Sequence, residues 1–239
     1  MKELKLSLSF EKTISEDVSV MVDALRASTT ITIALDKYDK IIPVLNKEEA
    51  KEIAIKEKGI LAGERTGAKI NGFELGNSPI AIQKYETDLK TLVLTTSNGT
   101  RILNEMNSKV LIGSLINSTT VGKACLKLAN SHIDVVMAGV KGEFAIEDYL
   151  ASGDIINSIT EAFNHNNVKF QSLDISEYAQ SAVLGSRNYK LVKKAIYNSK
   201  SSGRLKDLGY QEDIDFSLQR NITDNIGLYE NKEIRKLNI

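Results

Sequence analysis

One cysteine, no tryptophan, two prolines and two histidines leave this chain short of several residues that usually carry chemistry or staple a fold. The single thiol, Cys125, rules out an internal disulfide, and its apolar position in an expected helix suits a packed core thiol. His132 and His165 fall in polar connecting segments, which argues against a Ser-His hydrolase and a His-rich metal site. An excess of either charge is also missing. Lys+Arg and Asp+Glu both number 31, so the electrostatic case for nucleic acid or an anionic membrane is absent. No apolar run approaches the ~18 residues of a membrane span. The opening "MKELKLSLSF" interleaves charges with its apolar residues and lacks a signal-peptide core, so a cytoplasmic location is expected. There is no Walker A sequence and no GxGxxG after a strand, which leaves P-loop NTPases and dinucleotide folds unsupported.

What is present is alternation. Strand-like runs at 18–23, 41–45, 60–65, 91–94, 109–113 and 134–139 are each followed by a loop or a helical pattern. Leu4, Leu6, Leu8 and Phe10 alternate as a half-buried strand. Asn46 with Glu49 has capping-box spacing, and Ser78-Pro79 reads as an N-cap followed by the first helical residue. A long helix is expected over about 146–164, then helices at 176–199, 201–208 and 211–220, and a closing hairpin at 226–237. Segments 64–78 and 165–176 show no clear period. The pattern predicts an α/β protein with a mainly parallel or mixed sheet covered on both faces. A two-lobed body fits it too, but no composition shift marks a boundary, so one domain is expected over residues 1–239.

Open α/β sheets bind ligands beyond the carboxyl ends of their strands. Four such junctions here are polar. "VDALRASTT" (22–30) sets Asp23 at a strand end, with Arg26, Ser28, Thr29 and Thr30 beyond it, a grouping that suits a metal ion beside an anion. "LTTSNGTRIL" (94–103) offers a turn at Gly99, helix-start amides, hydroxyls and Arg101 as an anion cradle. "GSLINS" (113–118) repeats the theme with Ser114 and Asn117. "AGVKGEFAIED" (138–148) crowds Glu143, Glu147 and Asp148 at one helix start, as dipole partners or as oxygen ligands for Mg2+. Ordinary helix capping favours the same Ser, Thr, Asn and Gly. The long loop "GERTGAKINGFELGNSP" (63–79) adds Glu64 and Arg65 after a strand. "DALR" lacks the second acid, two residues on, of common aspartyl-phosphate phosphatases. Metal-assisted chemistry on a small phosphorylated anion is the class these junctions suggest.

In order and spacing, "VDALRASTTI", "AGERTGAKINGFELGNSP", "LTTSNGTRIL", "IGSLINSTTV", "AGVKGEFAIEDYLASG" and "SSGRLKDLGYQEDIDF" resemble the successive motifs of the 2-phosphosulfolactate phosphatase family. The likeness runs over about residues 18–216. It implies a three-layer α/β/α fold and a Mg2+-dependent acid phosphatase. The reaction implied is hydrolysis of (R)-2-phospho-3-sulfolactate to 3-sulfolactate and phosphate, a step in coenzyme M biosynthesis. Carried over residue by residue, catalytic roles fall on Asp23, Arg26 and Arg101. Metal ligands come from Asp23, Glu64, Glu147 and Asp148. Substrate contacts fall on Ser28, Thr29, Arg65, Asn77, Ser97, Asn98, Gly99, Thr100, Ser114, Asn117 and Arg204, with Asn71, Gly72, Glu143, Gly203 and Asp213 in the same motifs. Ser28 and Ser97 replace an expected Thr, Glu74 replaces an Asp, and "GVKGEF" departs from a "GTEGRF"-like form. Attack by water and a phospho-aspartyl route through Asp23 both stay open, with water favoured. Another phospho-acid, or a non-catalytic or isomerase-like sugar-phosphate binder, is the alternative. The expected partners are a small anionic phosphorylated substrate and, at most, a second copy of the chain in a homodimer.

Overall fold

The computed structural model describes residues 2–165 and 168–238. In chain order the elements are β1 (Glu3–Phe10), β2 (Val18–Val22), α1 (Ala27–Ala34), β3 (Lys40–Val44), α2 (Lys47–Glu57), β4 (Ile60–Arg65), β5 (Ala68–Lys69), α3 (Pro79–Lys84), β6 (Thr91–Thr95), α4 (Gly99–Leu103) and β7 (Lys109–Gly113). A 3-10 turn (Leu115–Asn117), α5 (Ser118–Leu128), β8 (His132–Met137), α6 (Ile146–His165), β9 (Ser172–Ile175), α7 (Glu177–Ser186), α8 (Tyr189–Tyr197), α9 (Lys200–Asp207), α10 (Gln211–Ser217), β10 (Gly227–Glu230) and β11 (Glu233–Lys236) follow. The expected α/β architecture is present, with helices on both faces of one mixed sheet.

The strand order is β5-β4-β6-β3-β11-β10-β7-β2-β8-β1-β9. Two parallel blocks, β4-β6-β3 and β7-β2-β8-β1-β9, are joined by the antiparallel hairpin β10–β11. Pairing direction reverses at three successive junctions, which in a flat sheet would send the blocks' carboxyl ends to opposite edges. A twist of ~20–25° per step over the five steps from β6 to β2 turns the strand direction by roughly 100–125°. The ends of β2 and β6 therefore come together.

Side-chain alternation records this curl. Val20 and Val22 of β2 join one core cluster while Met21 joins another. Ile133, Val135 and Met137 of β8 face the first, and Val136 faces the second. Leu92 and Leu94 of β6 also face the second, although they belong to the other block, while Val93 turns to a third cluster under α2. The shared inner cluster contains Ile31 and Ala34 of α1 and Ile102 and Leu103 of α4. The sheet thus wraps around α1, whose eight residues are all buried. Three of its four hydroxyls bond nearby carbonyls, Ser28 to Asp23 O (2.8 Å), Thr29 to Ala24 O (3.0 Å) and Thr32 to Ser28 O (2.8 Å), while Thr30 Oγ1 has no partner among the described residues. Cys125 packs in the first cluster, as expected.

Several local expectations change. The helix expected over 176–199 is two helices, because Asn188 caps a new start by accepting from Leu191 N (3.2 Å). His132 is not in a connecting segment; it opens β8 and shares a 2.7 Å hydrogen bond with the Ser7 hydroxyl. The aperiodic segment 64–78 contains β5 and a bridge from Ala62 to Leu75. Within 165–176, residues 166 and 167 lie outside the described residues, and β9 closes the segment. No helix of the described residues is long and apolar enough to cross a membrane.

Candidate active site

The carboxyl ends of β2, β4, β6 and β8 converge, and carboxylates tie them together. Asp23 follows β2. Its Oδ1 accepts the Ala27 N–H at 3.2 Å and its Oδ2 accepts the Gly99 N–H at 3.0 Å, joining the starts of α1 and α4. Gly99 is needed for this approach, since a Cβ there would stand 2.9 Å from the Ala27 Cβ. Glu64, near the end of β4, accepts from Ser97 N (2.7 Å) and Gly67 N (2.6 Å). Asp148, on the first turn of α6, accepts from Ala24 N (2.8 Å) and Gly139 N (2.9 Å). Three acids thus each clamp two loops through backbone amides.

Glu147 differs. It is 3% exposed, and its side chain has no hydrogen bond or ion pair among the described residues. It lines a groove that shares Val140, Ser201 and Arg204 with the central cleft. The acids also act on one another. Burial, with the charges of Glu64 and Glu147, pushes the Asp23 carboxyl up to about 6 against the pull of its two amide donors. Burial and the charges of Asp23 and Glu147 hold Asp148 well above the ordinary carboxylate range.

The cleft encloses about 520 Å³, part of it open to solvent. Asp23, Arg26, Glu64, Thr66, Gly67, Asn77, Ser97, Asn98, Lys141, Ser201 and Arg204 line it. Asn77 is 4% exposed and its Oδ1 has no hydrogen-bond partner, an orphan acceptor in a polar site.

A family model described as 2-phosphosulpholactate phosphatase matches residues 6–232, a span that includes every residue lining the cleft. The chain belongs to the 2-phosphosulfolactate phosphatase family. It is 42% identical to the 2-phosphosulfolactate phosphatase of Methanothermobacter thermautotrophicus over 241 residues, covering 98% of this chain and 99% of that protein. It is 34% identical over 230 residues to the probable 2-phosphosulfolactate phosphatase of Clostridium acetobutylicum, with 94% of each chain covered. The corresponding Clostridium beijerinckii protein is 33% identical over 230 residues, with 94% of this chain and 93% of that one covered.

Of the site residues expected for a 2-phosphosulfolactate phosphatase, the structure brings Asp23, Arg26, Glu64, Asn77, Ser97, Asn98 and Arg204 to one cleft. Gly99 stands behind it, donating to Asp23. The others lie elsewhere. Ser28 and Thr29 are buried in α1 and bonded to carbonyls. Ser114 and Asn117 form a buried capping box, and Asn117 also donates to Ile112 O and Asn225 O. Thr100 is buried and bonded to Thr96. Arg65 donates to Glu64 O, Leu45 O and Thr95 Oγ1, outside the cleft lining. Arg101 pairs with Glu11 on a partly exposed surface, also outside it. Arg26 lines the cleft with its guanidinium already engaged: Nη1 donates to Asp213 at 2.5 Å, Nη2 to Gly67 O at 2.7 Å, and its plane lies 4.3 Å from the Tyr210 ring centre.

Lys141 also lines the cleft, although no motif role falls on it in the sequence. Val140 and Glu143 exchange both backbone hydrogen bonds, at 2.9 and 3.0 Å, and close a two-residue turn. Lys141 and Gly142 fill it with φ of 53° and 81°. The Lys-Gly pair between Val140 and Glu143 was the available signal.

Among the described residues, no three His, Cys, Asp or Glu side chains converge to hold a metal. Mg2+ needs no such cage, because it commonly takes one or two carboxylates, retained waters and substrate phosphate. Asp23, Glu64 and the orphan Asn77 oxygen are hard donors of the right kind, and the mutual repulsion of the acids is what a cation relieves. The cleft fits a divalent cation.

Proposed function

We propose that this chain is a phosphoric monoester hydrolase acting on 2-phosphosulfolactate, releasing 3-sulfolactate and phosphate, with Mg2+ as cofactor. The observation that carries the proposal is the cleft itself. The amide-clamped carboxylates Asp23 and Glu64 share it with an Asn77 oxygen and two cations, Lys141 and Arg204, whose side chains have no partner among the described residues. The phosphoryl group sits beside Asp23, Glu64 and Asn77, which would hold the cation. When bound, the cation neutralises phosphoryl oxygens and lowers the barrier to attack.

The chain's own residues do the rest. Leu25 stands two residues after Asp23, where common aspartyl-phosphate phosphatases carry a second acid, and this favours water as the attacking group. Glu147 keeps both oxygens free of protein donors among the described residues and lines the groove adjoining the cleft, which makes it the candidate acceptor of the proton that the water loses. Asn98 accepts the Lys141 N–H at 3.2 Å and so joins the α4 start to the 140–143 turn across the cleft mouth.

Phosphate release from racemic 2-phospho-3-sulfolactate, with Mg2+ and with EDTA, tests the proposal beside phospholactate, phosphoglycolate and a sugar phosphate. Mg2+-dependent turnover preferring the sulfonate ester is expected. Turnover of the other esters alone would keep a phosphatase and overturn the substrate. Binding of the sugar phosphate without turnover of any ester would overturn the hydrolase.

A further inference from the structure

Five basic residues of the expected or observed site can be sorted by what they already hold. The Arg26 guanidinium is 3% exposed and bonded to Asp213 and Gly67 O. Arg65 holds two carbonyls and a threonine hydroxyl. Arg101 holds Glu11. Arg204 and Lys141 hold nothing: both line the cleft, both are exposed, and neither side chain has a hydrogen bond or ion pair among the described residues.

The two come from different walls, and each wall is braced. Lys141 rides the closed turn of residues 140–143 and is tethered through its own amide to Asn98. Arg204 lies on α9, which is fixed by the Ser199 cap on Ser202 N (3.1 Å) and by the Ser202 hydroxyl on Ile196 O (2.6 Å). The Arg204 stem passes over Gly67; a Cβ on that glycine would stand 3.7 Å from the Arg204 Cδ. The Gly67 N–H goes to Glu64, so the arginine is seated directly against the loop that the carboxylate organises. Ser201, one turn before Arg204, adds a hydroxyl to the same lining.

We infer that Arg204 and Lys141 form a subsite for the sulfonate, the third acid group of the phosphoester beside its phosphate and carboxylate, and that this pair sets the preference for a sulfonate. This rests on the phosphatase proposal and extends it to the other end of the substrate. The phosphoryl group is served by the carboxylate end of the cleft and its cation. A sulfonate offers three equivalent oxygens and no proton at neutral pH. A guanidinium fork takes two of them, and an ammonium meets the third. A neutral methyl at that position leaves both cations without an anion.

The test compares 2-phospho-3-sulfolactate with 2-phospholactate, which lacks the sulfonate. In R204A the ratio of kcat/KM for the two esters is expected to fall about 30-fold or more, and in K141A about tenfold, chiefly through KM, the order of charge-assisted hydrogen bonds. R204K should recover part of the ratio. A ratio within threefold of the parent's in both variants would overturn the inference. Equilibrium binding of 3-sulfolactate against lactate checks the subsite without turnover. Parent protein should prefer the sulfonate at least tenfold and R204A should lose the preference. Equal binding by the parent would overturn the subsite. A retained preference in a chain that hydrolyses neither ester would support the subsite and overturn the phosphatase.

Discussion

Removing the Asp213 carboxylate should unfold much of what holds the cleft together, and the structure says by how much. Asp213 is 2% exposed and Arg26 3% exposed. Asp213→Ala leaves a buried guanidinium without its anion, which typically costs about 3–5 kcal/mol. It also strips the Ser78 hydroxyl of the acceptor it reaches at 2.7 Å, adding about 1 kcal/mol. The sum is ~4–6 kcal/mol, or a fall in Tm of roughly 8–24 °C for a chain of this size. The Arg26→Ala change should be similarly harmful, and the double variant should be better than the sum of the singles by about 0.5–3 kcal/mol. Urea unfolding followed by circular dichroism measures all three, with Asp213→Asn as a milder variant that keeps an acceptor for Ser78. Since the pair links α10 to α1 and the 64–67 loop, kcat should fall with stability. An Asp213→Ala protein within about 1 kcal/mol of the parent would refute the burial argument. Loss of kcat with unchanged stability would mean that Arg26 faces the substrate instead of bracing the site.

Two further outcomes are expected. Asp23 binds its proton more tightly in the folded chain than in the unfolded one, about 6 against 3.8. That contribution is complete below the unfolded value and is lost as pH rises through about 6, a loss of roughly 3 kcal/mol in metal-free protein. The Tm in EDTA should therefore fall between pH 4 and 7, and saturating Mg2+ should widen its advantage over EDTA across the same range; parallel curves would contradict this. Two glycines should respond with opposite signs. A Cβ on Gly153 would meet Ala182 O at 2.1 Å where α6 and α7 cross, so Gly153→Ala should lose about 1–3 kcal/mol or more. Gly203 in α9 has open space, so Gly203→Ala should gain about 0.5–1 kcal/mol, read by thermal denaturation.

The fold was legible where a local cause acts locally. Ser78 caps α3 through Ala81 N, and Asn46 caps α2 through Glu49 N, as their spacing suggests. The strand periods hold because each residue of β2, β6 and β8 chooses a core by parity. The curl was not legible, because it depends on which strands pair across more than a hundred residues of chain. The site was half legible for the same reason. Polar strand ends are visible in "VDALRASTT" and "LTTSNGTRIL", but a hydroxyl that bonds a carbonyl one turn back and one that faces a ligand look identical in sequence. Ser28 and Thr29 are of the first kind, and Ser97 lines the cleft. Arginines pose the same problem. Arg101 lies outside the cleft lining with Glu11, just past the end of β1, folded against it, whereas Arg204 lines the cleft.

The hairpin β10–β11 has a consequence for how this protein is made. It sits in the middle of the sheet, yet every strand it joins precedes it in the chain. β7 waits for partners about a hundred residues downstream, and β3 waits for Ile234. Until residues 227–236 emerge, β3 and β7 have open edges and no strand pairing joins the two parallel blocks. Such long-range closure is slow. The nascent chain must keep two exposed strand edges from pairing with its neighbours, and the sheet becomes continuous only once both strands of the hairpin have emerged.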